Sequence, residues 1–433
     1  MQPMELKARG PGGAARAVAN PEHPTSSTLG AAFNVFCTVV GTGMLQQAYG
    51  AAETGWVGVA IMLVMGAASC YTAIILIRCF GLIEEILAGQ DASDPKVRAL
   101  APAVTYGDIG EAAFGRAGQV TVQVLMHTSL VLVGVVYNLL GGLNLVNIFG
   151  SRAEWLTPEV GIAIMAGAVW FHVFLKSMGE VAAVSAINTV VTVTLAVTIV
   201  VESLLHPPAE PPRTTWVSLD PMKLGSGFAA FILAFDVHAV LPTIYGAMRT
   251  KEHYEPMVRG TYVAVLAVTL PMLVVGYAVY GEAVQSPVYN TPALARSSLL
   301  KVMVGLITAH LLGAYAIVLN PTERALEATL GIDNLRLPLL WRMCLRTMFV
   351  LFTYGVAVVF QNSFPPLLDL VSALTAAPTM FLCPCMFYIT LSAKAGRPLS
   401  HAQLAGNAMI MGVSLVGAVF GIVGAIQSMI ATW

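Results

Sequence analysis

Long apolar runs dominate the chain. Stretches of about 20 residues or more, enough to cross a bilayer as a helix, occupy 28–51, 56–87, 119–149, 158–175, 178–205, 222–249, 257–282, 297–319, 339–360, 364–391 and 402–430. The pattern predicts an all-α integral membrane protein with eleven transmembrane helices. The run at 56–87 is longer than a bilayer needs, so it tilts or projects into the cytosol. Two runs are interrupted alike: the first at Gly41-Thr42-Gly43-Met44, the sixth around Phe235-Asp236-Val237-His238, with Pro242 following. Helices one to five and six to ten have similar lengths, and each set opens on a broken helix. Five is odd, so the second set enters from the opposite side. The segments 28–205 and 222–391 thus read as an inverted repeat, joined by the proline-rich outside connector 206–221, and the eleventh helix in 392–433 is an addition.

Composition supports the membrane reading. Only 10% of the 433 residues are charged, against about 25% in soluble proteins. With the N-terminus in the cytosol, 17 of the 22 Lys and Arg fall in inside segments, as the positive-inside rule requires. Residues 1–27 read as a disordered cytosolic tail without the basic-then-apolar pattern of a cleaved leader. The inside loop 91–118 carries a short amphipathic stretch, Tyr106 to Gly115, expected at the membrane interface. The net charge of -1 gives no reason to expect nucleic acid as a partner, and no motif marks an obligate protein partner. The six cysteines lie in or beside apolar runs and read as free thiols; Cys383 and Cys385 point to different helix faces, which argues against a metal site. No Gly-Lys dipeptide, no His-Glu-x-x-His motif and no long soluble segment occurs. The chain is therefore not read as an enzyme. Gly417, Gly421 and Gly424 form a small-residue face suited to packing within the chain or to dimerisation.

Backbone left unpaired at membrane depth is costly and persists where it lines a cavity or a ligand. Matching breaks in two halves point to a small-solute site of a secondary transporter. Gly41 and Gly43 let a ligand approach the backbone. Amides near Thr42, Gly43 and Met44, at the positive end of a helix dipole, suit a carboxylate. Carbonyls near Phe235 and Asp236 suit an ammonium group, and the Asp236 carboxylate either reinforces them, reads a cationic side chain or pairs structurally with His238 or a cation nearby. His238 is either a proton-loading group or a neutral, hydrogen-bonded histidine that holds the break open. Tyr137, Asn138 and Tyr315 line the cavity or simply pack. Asn34, Thr38 and Thr308 offer oxygens to Na+, unless the threonines bond their own backbones. Asp369 is a candidate gate; His127 and His310 read as packing groups; Glu180 and Glu202 sit near the ends of the fifth helix.

The stretch Asn34 to Tyr49, with Gly41-Thr42-Gly43-Met44-Leu45 and then Gly55-Trp56, resembles the first helix of the amino acid/auxin permease family. Cys70-Tyr71-Thr72-Ala73 and Tyr106 to Gly115 are similar to its second helix and following loop. Phe235 to Pro242 with Met248 resembles its sixth helix, Gly276-Tyr277 with Gly281 its seventh, and Pro365 to Leu374 with Pro378 and Pro384 its tenth. The likeness covers nearly all of the chain beyond the first 27 residues. It implies a LeuT-like fold and symport of amino acids or related solutes with H+, or in some branches Na+, by alternating access, with no cofactor besides the coupling ion. Asp236 departs from the neutral or aromatic residue usual there, a departure that bears on the substrate. An auxin-like weak acid as cargo, and a receptor that keeps the fold, are the other readings. The plasma membrane and a vacuolar or endolysosomal membrane are both open.

Overall fold

The computed structural model describes residues 26–88, 105–174 and 181–432. The expected tail (save Ser26 and Ser27), the first half of the long inside loop, and Glu180 lie outside the described residues. Within them all regular structure is helical, apart from a single bridge between Ser26 and Met248.

The first broken helix consists of α1 (Thr28–Val39), a 3₁₀ turn (Thr42–Gln46) and α2 (Gln47–Thr54), bent by 43°. Then come α3 (Val57–Ala88), α4 (Tyr106–Phe149), α5 (Pro158–Trp170) with a 3₁₀ extension (Phe171–Phe174), and α6 (Val181–Leu205). The second broken helix is α7 (Pro221–Leu233) and α8 (Leu241–Ala247). The chain continues through α9 (Tyr254–Tyr280), α10 (Ser298–Thr329), α11 (Pro338–Val359), α12 (Phe364–Val371), α13 (Cys383–Lys394) and α14 (His401–Thr432). Seven of these helical stretches are long and apolar enough to cross a membrane, and the bent first pair makes an eighth. The stretches 158–174, 189–205 and 221–233 are apolar but shorter. The chain is a multi-pass membrane protein.

Local chemistry sets the boundaries. Asp220 accepts a hydrogen bond from the Met222 amide at 2.9 Å ahead of Pro221, so α7 begins with a cap and a proline in its first turn. Ser297 caps α10 through the Leu300 amide. Thr105 and Asp108 form a capping box at the start of α4. Between α12 and α13 the backbone is π-helical over Ser372–Ala376 and Pro378–Leu382. Pro378 removes an amide there, and the wider turn absorbs the mismatch.

Packing of the two broken helices relies on missing side chains. A Cβ on Gly50 would sit 2.7 Å from the Phe231 ring, and one on Gly227 would sit 2.8 Å from the Gly50 carbonyl oxygen. Thus α2 and α7 approach nearly backbone to backbone. The Gly417–Gly424 face packs within the chain: a Cβ on Gly417 would run into the Phe228 ring, and one on Gly225 would lie 2.6 Å from the Gly421 amide. Met409, Val413 and Val416 of α14 are exposed and suit lipid.

In the stretch Tyr106 to Gly115, Tyr106, Ile109 and Ala113 are buried against the bundle, and Phe114 and Gly115 (φ +65°) break the helix after them. The Tyr106 hydroxyl donates to the Thr379 carbonyl. Lys394 donates to the carbonyls of Ala112 and Ala113 at 2.8 and 2.7 Å, which neutralises the short helix's end.

Candidate functional site

The two breaks meet. Gly43 is buried, and a Cβ on it would lie 2.8 Å from the carbonyl carbon of Leu233. The last turn of α7 therefore abuts the 3₁₀ turn of the first broken helix. Gln47 fastens the junction: its Nε2 donates to Gly43 O at 2.8 Å and to Ala230 O at 3.0 Å. Ser372 adds a third strap by donating to Ala229 O at 2.6 Å.

The backbone is unpaired on both sides of this junction. In the first break the Gly41 amide bonds Val39 O at 2.9 Å and the Met44 amide bonds Gly41 O at 3.3 Å. The Thr42 and Gly43 amides between them find no backbone carbonyl among the described residues. In the second break the ladder ends with Ala234 N on Phe231 O and Phe235 N on Ile232 O, and resumes with Val240 N on Val237 O. Leu233, Ala234, Phe235 and Asp236 thus keep carbonyls that accept no hydrogen bond among the described residues. Donors open on one side and acceptors on the other are the complement of a zwitterion.

The side chains of the second break divide the labour. Phe235 is fully buried, stacks on Tyr262 with ring centroids 6.0 Å apart and fills the space left by Gly66. It is an anchor, with its carbonyl rather than its ring available to a ligand. Asp236 is half-buried, and no ion pair or hydrogen bond of its carboxylate occurs among the described residues. It does not pair with His238. His238 is instead buried and bonded through Nε2 to the Thr72 hydroxyl of α3 at 2.9 Å, and Thr72 donates on to Ser69 O. Nδ1 has no partner. Since the Thr72 proton is spent on Ser69, the His238 Nε2–H is the donor in that bond. Thr72→Val removes the acceptor and strands a buried N–H, so a loss of about 1–3 kcal/mol is expected. A denaturation midpoint for Thr72→Val equal to that of the parent protein would contradict this assignment.

Other expected site residues lie elsewhere. Tyr315 is fully buried, and its hydroxyl bonds the Thr353 hydroxyl at 2.7 Å; Asn138 donates to the same Thr353 oxygen at 2.9 Å. These groups tie α4, α10 and α11 together, and half-buried Tyr137 packs against the core; none contacts either break through a hydrogen bond or ring. The Na+ trio is not assembled. Asn34 and Thr38 are exposed on α1, with the Thr38 hydroxyl bonded to Asn34 O at 2.8 Å. Thr308 spends its proton on Val304 O at 2.7 Å and accepts from Asn144 at 2.9 Å. Each threonine satisfies itself on its own helix.

Sequence reasoning missed several groups. Gln46 is fully buried beside the first break with neither end of its amide partnered among the described residues. A pair of adjacent glutamines inside an apolar run was the available signal. Farther away, His172, Glu323, Glu327 and Arg346 form a buried ionic cluster between α5, α10 and α11. His172 Nε2 meets Glu323 at 2.9 Å, and Arg346 meets Glu327 at 2.9 Å and Glu323 at 3.5 Å. A cleft of about 710 Å³ opens between α3, α8 and α13, beside the ion pair of Arg78 with Glu255 (2.7 Å), but none of its lining residues belongs to either break. No group of His, Cys, Asp and Glu suited to a metal occurs among the described residues.

Comparison with known proteins agrees with this architecture. The amino acid transporter AVT1J of Arabidopsis thaliana is 26% identical over 419 residues, covering 94% of this chain and 92% of that one. The amino acid transporter AVT1I of the same plant is 24% identical over 394 residues, covering 85% and 87%. The vesicular inhibitory amino acid transporter of Xenopus laevis is 23% identical over 433 residues, covering 95% and 79%. Among solved structures, the substrate-bound outward-open state of a Na+-coupled sialic acid symporter matches with a TM-score of 0.51 at 12% identity, covering 96% of this chain and 92% of that one. The inward-facing conformation of Mhp1 matches with a TM-score of 0.50 at 12% identity, covering 95% and 91%. These structural likenesses show a shared LeuT-type fold. The family model described as transmembrane amino acid transporter protein matches residues 24–427, so the chain belongs to that family.

Proposed function

We propose that the chain is a secondary active transporter that carries an amino acid by H+-coupled symport. The carrying observation is the meeting of the two breaks at Gly43 and Leu233. The free amides of Thr42 and Gly43 receive the substrate carboxylate. The free carbonyls of residues 233–236, with the unpaired Asp236 carboxylate, receive its ammonium group. This arrangement recognises what all amino acids share and leaves the side chain to neighbours such as Met44 and Gln46. The names of the relatives, amino acid transporters all three, support the substrate class.

Transport runs by alternating access across eleven spans arranged as an inverted repeat. Each of the eleven apolar runs carries helix, and the repeat places α2 and α7 outside the breaks, α1 and α8 inside. The outer halves are largely buried, while Leu29, Phe33, Asn34 and Thr38 of α1 are exposed. Segment 213–218 also stitches over the outer end: Trp56 N bonds Thr215 O at 3.0 Å and Ser218 N bonds Thr54 O at 2.9 Å. This burial pattern suits a state closed on the outside. The vesicular relative favours an internal membrane, and the distribution of Lys and Arg along the sequence favours a cytosolic N-terminus.

In proteoliposomes, an inwardly directed H+ gradient is expected to drive accumulation of at least one radiolabelled amino acid, and a protonophore to abolish it. Accumulation that ignores the protonophore and needs external Na+ in place of choline would replace H+ by Na+. Absence of flux with every amino acid, despite binding, would make the chain a receptor.

A further inference from the structure

Asp369 on α12 is 3% exposed and has an incomplete set of partners. The Ser226 hydroxyl of α7 donates to its Oδ2, and Oδ1 has no partner among the described residues. No cation pairs with it there. From α2, Glu53 and Tyr49 face the same point, and Lys223 and Asp220, near the start of α7, face Glu53. The other helices packed on α12 are α4 and α14, and neither presents a charged group to Asp369. Buried Asp369 and Ser226 and half-buried Tyr49 and Glu53 thus come together where three helices converge.

An ionised carboxylate sealed there, with one hydroxyl for support and a second carboxyl nearby, costs several kcal/mol. A protonated one is neutral and closes without that cost. We propose that Asp369, with Ser226, Tyr49 and Glu53 around it, is a proton-binding site that operates the outer gate. Asp369 takes one H+ from water when α2, α7 and α12 stand apart, and only the protonated carboxyl lets them close. Reopening returns the H+ to the same side. By linkage, closure strengthens proton binding as much as proton binding favours closure. Such a gate acts at equal pH on both sides, so it stands apart from whether a proton is also carried across.

Amino-acid exchange in proteoliposomes with the same pH inside and out, and no gradient of any ion, is the test. Exchange by the parent protein is expected to fall above a midpoint by roughly tenfold per pH unit, as one titrating group requires. Asp369→Asn, permanently neutral, is expected to keep at alkaline pH the exchange it shows at acid pH. Ser226→Ala removes the one donor to the ionised form, so the decline moves to higher pH by about one unit. It also carries the test should Asp369→Asn fail to fold. A pH-independent parent protein, an Asp369→Asn profile matching the parent, or an unshifted Ser226→Ala profile would overturn the proposal. So would rescue of alkaline exchange by Na+ or K+, which would make the ligand a metal cation.

Discussion

Gly43→Ala is expected to cut transport about ten- to a hundredfold per folded molecule, while Gly355→Ala leaves it unchanged. A Cβ at 43 lies 2.8 Å from the Leu233 carbonyl carbon and closer still to its oxygen, and backbone cannot swing aside as a flexible side chain can. Either the 3₁₀ turn or the end of α7 must retreat. Overpacking of this kind costs about 1–3 kcal/mol, and roughly 1.4 kcal/mol is worth a factor of ten in rate. The retreat also moves the Thr42 and Gly43 amides away from the 233–236 carbonyls, the two surfaces that must grip one ligand together. The loss should therefore show in both KM and maximal velocity. Gly355 has open space where its Cβ would be, and alanine there only improves helix propensity. Initial uptake rates, normalised to folded protein by size exclusion, decide it. Full activity of Gly43→Ala would mean that the contact with Leu233 is not kept in the working protein.

The breaks were legible because they rest on local chemistry. Two glycines two apart, a carboxylate at membrane depth and a proline four residues after His238 all interrupt an apolar run within the run itself. The pairing of His238 with Thr72 was not legible, since nothing in a 3.6-residue period says which of several polar groups on another helix faces the break. The ionic cluster was hidden by a proline. Asn320-Pro321 looks like a helix end, which puts Glu323 and Glu327 in a loop. In the structure α10 runs through Pro321 to Thr329, so both carboxylates stay on the helix and face inward. Tyr315 misled for a related reason: an aromatic in an apolar helix reads equally as lining and as packing, and only the Thr353 hydroxyl, 38 residues away, shows that it packs.

That cluster sets the second large effect: Arg346→Ala is expected to destabilise the protein by about 3–5 kcal/mol. Glu323 is fully buried and Glu327 nearly so, and Arg346, 7% exposed in its side chain, lies 3.5 and 2.9 Å from them. The His172 ring contributes as well. Its Nδ1 lies 2.7 Å from Val169 O and must carry a proton, so the 2.9 Å bond between Nε2 and Glu323 needs a second proton shared by the pair. With that proton in place, His172 and Arg346 offset the two carboxylates, while the partly exposed Arg342, 3.7 Å from Glu327, also pairs with Asp333. Removing Arg346 leaves two buried carboxylates with one protonated imidazole beside them and an arginine already engaged by Asp333 at the surface. The surface pair Arg397–Glu85, at 3.1 Å but 70% and 42% exposed, is the contrast; Arg397→Ala should cost about 1 kcal/mol or less. Denaturation of the two variants in the same detergent separates the cases, and adding Glu327→Gln to Arg346→Ala should restore part of the loss. Equal, small effects from Arg346→Ala and Arg397→Ala would mean that water screens the cluster in solution, and its role in joining α5, α10 and α11 would then fall.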